Sequence, residues 1–301
     1  MRARPMDTLP VALVQMRSGI DPDANLDVAE VAIRRAADEG ARCVLTPECT
    51  NLVQKDSAAA MAVLKPENAD PALPRFSALA GELGVHLVIG SLALKGETGK
   101  AVNRTVVFGP DGALQARYDK VHMFDVGLGQ GETYRESDTY APGQQPVIAD
   151  IADARLGLSI CYDVRFGYLY RALAQAGAQI LTVPAAFTRP TGRAHWEVLL
   201  RARAIETGSY VLAPAQGGLH EDGRRTWGHS MIIGPWGEIV AELKHDEPGI
   251  LHAVLDMRKV SDARQRIPAL SHDRAVSAPV QGLVSMGDQM PADPATEYES
   301  E

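Results

Sequence analysis

The segment LGLSICYDVRF, residues 156–166, joins an apolar run to a polar one at a cysteine. Residues 156–160 have the composition of a short buried strand, and Cys161 stands where that strand is expected to end. A structural cysteine usually lies among apolar neighbours, whereas reactive groups often follow strands. The segment therefore predicts a strand that presents a partly exposed thiol, although the residue type alone is equally compatible with a buried structural cysteine.

Apolar runs and helical patterns alternate on both sides of this segment. Apolar residues recur on one helix face within residues 23–40, and Gly40 provides a stop signal. Further predicted strands span residues 9–16, 41–48, 85–94, 179–187 and 209–216. The predicted helices span residues 23–40, 74–84, 169–178 and 194–208. Strands that alternate with helices indicate a layered α/β fold.

Two hairpins interrupt the alternation in the same manner. Residues 103–120 carry an Asp-Gly turn between strand-like runs, and residues 229–243 carry Gly-Pro-Trp-Gly at the corresponding place. Each hairpin follows strand and helix material, so the chain is expected to consist of two related halves that face each other. No Pro/Ser-rich linker separates the halves, which favours one compact domain.

Composition limits the classes of function. The chain has 301 residues and a net charge of −8, which argues against nucleic acid or an anionic membrane as the main partner. No apolar run approaches the roughly 20 residues of a membrane helix, and the run after MRARPMD is too short for a signal peptide. Three cysteines without a C-x-x-C pair make a disulfide framework or a structural zinc site unexpected. These features predict a soluble cytoplasmic enzyme.

A reactive thiol at neutral pH needs a base and a nearby cation. Glu48 in LTPECTN follows one predicted strand, and Lys120 follows the first hairpin. Alone, Glu48 could equally be a helix cap or a surface ion pair, and Lys120 an ordinary surface lysine. Cys49 is a rival nucleophile, but its side chain should point away from Glu48 if the strand continues. The three strand ends together favour a site built from a carboxylate, an ammonium group and a thiol.

The motifs LTPECTN, RYDKVHMFDV, YRESDTYAPG and GLSICYDVRF occur in this order, and with them the chain resembles the nitrilase (carbon–nitrogen hydrolase) superfamily. The resemblance spans residues 8–275 as a single domain and leaves residues 276–301 as a C-terminal extension with an acidic tail. It implies a four-layer αββα sandwich of two pseudo-symmetric halves. It also implies a homodimer or higher homo-oligomer, with the helix predicted over residues 194–208 near the interface.

The resemblance also implies the roles of the site residues. The family's catalytic triad falls on Glu48, Lys120 and Cys161, with Glu136 and Tyr162 in supporting positions. In this chemistry Cys161 attacks an amide carbon while Glu48 takes the thiol proton. Lys120 and the backbone N–H that follows Cys161 stabilise the oxyanion. No metal or organic cofactor is expected.

Within the superfamily, the chain is most similar to amidases that act on deaminated glutathione, followed by ω-amidases that act on α-ketoglutaramate. Both act on small amides that carry carboxylates. Arg165 is therefore a candidate carboxylate ligand, and the alternative is a structural ion pair with Asp163. The segment FTRPTGRAHWE adds three further candidates in a predicted mouth loop, namely Arg189, Thr191 and Arg193.

Other functions stay open at this point. Nitrilases and N-carbamoyl amino acid amidohydrolases belong to the same superfamily, although carbamoylases tend to have two arginines after the nucleophile and this chain has Val164 at the first position. A catalytically silent binding protein would have no need of the polar triad. A cysteine–histidine hydrolase would need a histidine beside Cys161, but His122, His195 and His229 each lie in a motif where a structural role is expected.

Overall fold

The computed structural model describes residues 8–129 and 132–276. The chain divides into a unit that ends at Ser271 and a second unit of residues 272–301, of which 272–276 are described. The predicted boundary after residue 275 stays a prediction, and all but the first residue of the predicted tail lie outside the described residues. Among the helices of the described ranges, none combines the length and apolar character that a membrane span requires.

The strands form two six-stranded sheets and two small hairpins within the described residues. In chain order they are β1 (Thr8–Gln15), β2 (Cys43–Leu45), β3 (His86–Lys95), β4 (Ala101–Phe108), β5 (Leu114–Asp119), β6 (Asp125–Gly129), β7 (Glu132–Arg135), β8 (Ile148–Ile151), β9 (Ala154–Gly157), β10 (Ile180–Thr182), β11 (Tyr210–Ala213), β12 (Gly217–Leu219), β13 (Arg225–Trp227), β14 (Met231–Ile233), β15 (Ile239–Glu242) and β16 (Gly249–Asp256).

Seven α-helices and three short 3-10 helices lie in the same described residues. The α-helices are α1 (Pro22–Asp38), α2 (Ser57–Val63), α3 (Ala72–Leu83), α4 (Glu136–Thr139), α5 (Gly167–Gln175), α6 (Arg189–Thr207) and α7 (Arg258–Arg266). The 3-10 helices are Glu67–Ala69, Cys161–Arg165 and Ala269–Ser271.

Both large sheets repeat one pairing pattern. The first has the order β16-β1-β2-β3-β4-β5, and the second has the order β8-β9-β10-β11-β14-β15. Read in these directions, successive neighbours in each sheet are antiparallel, parallel, parallel, antiparallel and antiparallel. The last antiparallel pair of each sheet, β4–β5 or β14–β15, is one of the two predicted hairpins. The prediction of two pseudo-symmetric halves is therefore confirmed.

The layers follow from the two faces of each sheet. In β1, Val11 and Leu13 belong to the core that both sheets share, whereas Ala12 and Val14 belong to the core beneath α1 and α3. This alternation reflects the period of two in a strand. Helices α5 and α6 pack on the second sheet. The order helix, sheet, sheet, helix confirms the predicted four-layer αββα sandwich.

Capping residues account for the helix ends that the sequence predicts. The Asp21 carboxylate accepts hydrogen bonds from the first-turn N–H groups of α1, and Gly84 ends α3 in the left-handed conformation with φ 64°. The helix predicted over residues 194–208 corresponds to α6. Its predicted start is wrong, because α6 begins at Arg189. Pro190 fits that first turn because its missing N–H would have no intrahelical acceptor there. Residues 189–193 therefore belong to a helix and not to a mouth loop.

Two strands that lead to the predicted site are shorter than expected. The predicted strand over residues 41–48 ends at Leu45, shortly before Pro47, which has no N–H to continue the ladder. Cys49 therefore lies in a turn, with φ 59°, and the strand argument about its orientation does not apply. Strand β9 ends at Gly157, and Cys161 begins the 3-10 helix Cys161–Arg165. Its side chain is also buried, where partial exposure was expected.

Candidate active site

The three predicted triad residues come from three separate segments that the facing sheets bring together. Glu48 follows β2 and Lys120 directly follows β5 in the first sheet, whereas Cys161 follows β9 in the second. A Cβ atom at Gly90 would lie 2.0 Å from the Thr46 carbonyl oxygen and 2.5 Å from Pro184 Cβ. This glycine therefore permits the close approach of the turn that carries Glu48 to the turn around Pro184.

Lys120 is the centre of a buried ion cluster. Its Nζ lies 2.9 Å from Glu48 Oε1 and 2.9 and 2.8 Å from the two carboxylate oxygens of Glu136. The side chains of Lys120 and Glu48 are almost fully buried, and that of Glu136 is mostly buried. A buried ammonium group is stable only with such partners. The structure therefore brings Glu48, Lys120 and Glu136 together.

Neutral donors complete the hydrogen bonds of the two carboxylates. Asn103 Nδ2 donates to Glu48 Oε1 over 2.9 Å, and the Ala186 N–H donates to Glu48 Oε2 over 2.8 Å. The Phe124 N–H donates to Glu136 Oε2 over 2.6 Å. The sequence reasoning missed Asn103, which is buried on β4. Its signal is a polar residue in the first half of a strand that ends in the apolar run VVF.

The ionisation of the cluster follows from burial and from its neighbours. Burial alone would lower the pKa of Lys120, but Glu136 and Glu48 outweigh it and raise the pKa well above its ordinary value. Burial raises the pKa of the Cys161 thiol well above its ordinary value, the nearby Glu48 carboxylate raises it further, and Lys120 lowers it in part. The resting site therefore contains a protonated lysine and a neutral thiol.

Cys49 lies beside Glu48 and is the other thiol at the site. Burial, reinforced by the charge of Glu48, raises the pKa of Cys49 to about 12. Its backbone N–H donates to Ser91 Oγ over 3.1 Å. Cys49 is thus held in the turn after β2, whereas Cys161 begins a helical turn.

The backbone at Cys161 is held in an uncommon conformation. Cys161 has φ 49°, a region that residues other than glycine rarely adopt. Its N–H donates to the Pro184 carbonyl over 2.9 Å. The Asp163 side chain accepts from the Ile160 N–H over 2.9 Å, which fixes the turn from the other side. These bonds maintain the strained turn at Cys161.

Asp163 also joins the Cys161 turn to the chain that follows Lys120. Its Oδ1 atom accepts from the His122 N–H over 3.0 Å and lies 2.7 Å from His122 Nδ1, and its Oδ2 atom accepts from the Tyr118 hydroxyl over 2.7 Å. The carboxylate is fully buried. Tyr118 and His122 flank Lys120 at a distance of two residues on either side. A single carboxylate therefore links the Cys161 turn to the Lys120 segment, a function that the sequence reasoning did not assign to it.

Arg165 does not form the ion pair with Asp163 that the sequence left as an alternative. Its guanidinium lies 5.7 Å from the centre of the Tyr162 ring and 5.6 Å from that of Phe187. His195 Nδ1 is 3.4 Å from both terminal nitrogens. Among the described residues, no carboxylate oxygen lies within 4 Å of this guanidinium. Arg165 is therefore available to bind an anion beside the Cys161 turn.

The other predicted substrate ligands lie in the first turns of α6. Arg189 is half exposed and 3.9 Å from an Asp246 carboxylate oxygen. The buried Thr191 hydroxyl is 2.8 Å from Thr188 Oγ1, so its hydrogen bond lies within its own turn. Arg193 is exposed. A contact between these residues and a substrate stays a prediction.

The fold agrees with comparisons to known proteins. A model of the carbon–nitrogen hydrolase family matches residues 10–265. The chain belongs to this family. It is 40% identical over 276 residues to deaminated glutathione amidase of Yersinia enterocolitica, which covers 91% of this chain and 96% of that protein.

Two further relatives also agree with membership of the carbon–nitrogen hydrolase family. An omega-amidase of Homo sapiens is 36% identical over 274 residues, or 90% of this chain and 96% of that protein. The crystal structure of a nitrilase-superfamily member from Saccharomyces cerevisiae matches with a TM-score of 0.79 at 30% identity, over 88% of this chain and 96% of that one. The predicted family and the predicted enzyme class, a carbon–nitrogen hydrolase of amidase type, are confirmed.

Proposed function

We propose that this carbon–nitrogen hydrolase is a thiol amidase in which Cys161 is the nucleophile, Glu48 the general base and acid, and Lys120 the oxyanion ligand. The observation that carries the proposal is the buried contact of Lys120 with Glu48 and Glu136, next to the Cys161 thiol. A cluster of charges of this kind is costly to bury. Perturbed titratable groups of this type concentrate at functional sites.

The charges of the cluster determine how the thiol reacts. With Glu48 and Glu136 ionised and Lys120 protonated, the cluster already carries one net negative charge. A thiolate formed before the substrate arrives would add a second negative charge in a buried place, in agreement with the raised pKa of Cys161. The thiol proton therefore passes to Glu48 as the sulfur attacks the amide carbon, and the developing charge appears on the amide oxygen.

Two donors are placed to stabilise that oxygen. Lys120 Nζ contacts three carboxylate oxygens before the substrate arrives, and its positive charge stabilises a negative oxygen that forms beside it. The Tyr162 N–H lies in the first turn of the 3-10 helix Cys161–Arg165, where N–H groups have no intrahelical acceptor. We assign Tyr162 its supporting role through this N–H and Glu136 its role through the orientation of Lys120.

The remaining steps use the same residues. The protonated Glu48 gives its proton to the amide nitrogen, the C–N bond breaks, and the amine leaves a thioester on Cys161. Glu48, again a carboxylate, takes a proton from water as the water oxygen attacks the thioester carbon. The C–S bond then breaks, the carboxylic acid departs, and the proton held by Glu48 returns to sulfur.

The proposed substrate is an amide that carries a carboxylate, with deaminated glutathione first and α-ketoglutaramate second. Support comes from the activities in the names of the two relatives. Independent support comes from Arg165, whose guanidinium lies beside Tyr162 and has no carboxylate partner among the described residues. Guanidinium groups bind carboxylates with two parallel hydrogen bonds.

The proposal is tested by ammonia or amine release from both amides, an uncharged aliphatic amide, a nitrile and an N-carbamoyl amino acid. We expect turnover of the carboxylate-bearing amides in the wild type and none in Cys161→Ala, with the fold retained. Cys49→Ala removes the neighbouring thiol and is the matched control, for which turnover should persist. Mass spectrometry with a slow substrate should detect an acyl adduct on Cys161; an adduct on Cys49, or an active Cys161→Ala protein, would refute the assignment.

A further inference from the structure

The hairpin β12–β13 packs against the turn that carries Glu48. Gln216, which precedes β12, donates from Nε2 to the Glu48 carbonyl over 3.0 Å and to the Cys49 carbonyl over 3.2 Å. The His220 ring spans the gap between the Ser18 carbonyl, 2.8 Å from Nδ1, and the Thr226 hydroxyl, 2.7 Å from Nε2. The loop between β12 and β13 is therefore fixed relative to the active-site turn.

Arg224 ends that loop and lies close to the active site. It is within electrostatic range of Cys49 and of Tyr140, and Tyr140 is in turn within range of Glu136 and Glu48. About 29% of the Arg224 side chain is exposed. The Arg224 side chain is thus mostly buried, and its charge acts on the Cys49 side of the site.

The guanidinium has one carboxylate partner and unused donors. Nε donates to Asp222 Oδ2 over 2.6 Å, and the Arg224 N–H donates to Asp222 Oδ1 over 2.9 Å. Asp222 itself is almost fully buried, so the side chain of Arg224 is held in place. Among the described residues, none accepts a hydrogen bond from the terminal nitrogens Nη1 and Nη2. These two nitrogens form the planar fork that binds a carboxylate.

The site thus contains two guanidinium groups with separate surroundings. Arg165 contacts Tyr162, Phe187 and His195, whereas Arg224 lies near Cys49 and Tyr140. The protein carries a net charge of −8 and repels small anions overall, so a substrate with two carboxylates needs two local cations. A monocarboxylate amide needs one of them.

We propose that Arg224 binds a carboxylate on the leaving group of the substrate, while Arg165 binds the carboxylate of the acyl group. This inference rests on the proposed amidase function. Glu48 must lie at the leaving nitrogen in order to protonate it. Arg224 ends the loop of the hairpin that Gln216 holds against the carbonyls of Glu48 and Cys49, and its charge acts on Cys49. The leaving group therefore extends toward Arg224. The substrate class is an amide with one carboxylate on each side of the scissile bond, as in deaminated glutathione, whose leaving part ends in the glycine carboxylate.

The experiment compares deaminated glutathione with its analogue in which the glycine carboxylate is a carboxamide. For the wild type we expect kcat/KM to be about 10- to 100-fold higher for the dicarboxylate, the range for one charge-assisted hydrogen-bonded pair. In Arg224→Gln this preference should fall to near unity, because only the dicarboxylate loses a contact. Arg225→Gln removes an equal charge from the next, exposed residue and should retain the preference.

Three results would overturn the inference about Arg224. The first is an equal kcat/KM of the wild type for the two amides. The second is a decrease of kcat/KM in Arg224→Gln that is the same for both amides, as a purely structural role predicts. The third is a loss of the preference in Arg193→Gln instead of Arg224→Gln. The wild-type comparison remains decisive if Arg224→Gln does not fold. A wild type that hydrolyses neither amide would refute the proposed function itself, so the two failures are distinguishable.

Discussion

Replacement of Asp163 by asparagine should both destabilise the protein and slow catalysis. The Asp163 carboxylate is fully buried and has four polar partners, two on each oxygen. In Asp163→Asn, one oxygen becomes an NH2 group that cannot accept a hydrogen bond. If the NH2 group takes the position of Oδ1, it faces the backbone N–H and the ring of His122. If it takes the position of Oδ2, it faces the backbone N–H of Ile160 and the Tyr118 hydroxyl.

The size of the effect follows from the partners that cannot adapt. The hydroxyl can rotate and the imidazole can change tautomer, but a backbone N–H remains a donor in either orientation of the amide. One buried donor without an acceptor costs about 1–3 kcal/mol, and a lost hydrogen bond to a charged group costs about 1.5–3 kcal/mol. We therefore expect Asp163→Asn to lower the free energy of unfolding by about 3–5 kcal/mol, as for other broken buried pairs.

Catalysis should change because Asp163 links the two halves of the reaction site. Without the bonds from Ile160 and His122 to one carboxylate, the distance between Cys161 and Lys120 is no longer fixed. A displacement of about 1 Å is enough to lower the rate about 100-fold. We expect a kcat loss of that order with a smaller change in KM, since no substrate contact is removed.

The assay combines urea unfolding, followed by circular dichroism, with kcat and KM for amide hydrolysis. Asp70→Asn is the matched control: Asp70 is also buried, but its single described bond accepts from the Ala72 N–H, which an asparagine oxygen can replace. It should change the unfolding free energy by less than about 1 kcal/mol and leave kcat unaltered. A stable Asp163→Asn protein would refute the hydrogen-bond argument, and a destabilised one with normal kcat would refute the positioning role.

Two further predictions concern ionisation and assembly. Glu48→Gln should abolish turnover yet lower the pKa of the Cys161 thiol, so that more thiolate is present at a given pH, whereas Lys120→Ala should raise that pKa. Thiolate ultraviolet absorbance against pH tests both, and shifts in the opposite directions would contradict the charge argument. The exposed fractions of Val198 and Ile205 are 68% and 57%. The predicted dimer should dissociate in Val198→Asp or Ile205→Asp, because each puts a charge in place of an exposed apolar residue of α6. Sedimentation velocity measures this, and a persistent dimer in both variants would place the interface elsewhere.

Much of the architecture was predictable because it depends on local patterns. Period-two and helical periodicities predict the alternation of strands and helices, and turn residues predict the two hairpins. The order of the four motifs identified the family, and with it Glu48, Lys120 and Cys161. In each case the signal lies within a short stretch, such as the Asp-Gly turn between β4 and β5 or the Gly84 stop of α3.

Other features required the tertiary structure, because they depend on partners that are distant in sequence. Asn103 is 55 residues from Glu48, and Asp163 is 41 residues from His122, so no local pattern shows that their side chains meet. The burial of Cys161 depends on the packing of the second sheet against the first. The early start of α6 and the early end of β2 both depend on a proline. Pro190 can begin a helix because the N–H that it lacks has no acceptor in a first helical turn. Pro47 cannot continue a strand because a strand uses the N–H that proline lacks. The sequence by itself determined the chemistry of the side chains, whereas the packing of two sheets decided which of them can act on one substrate.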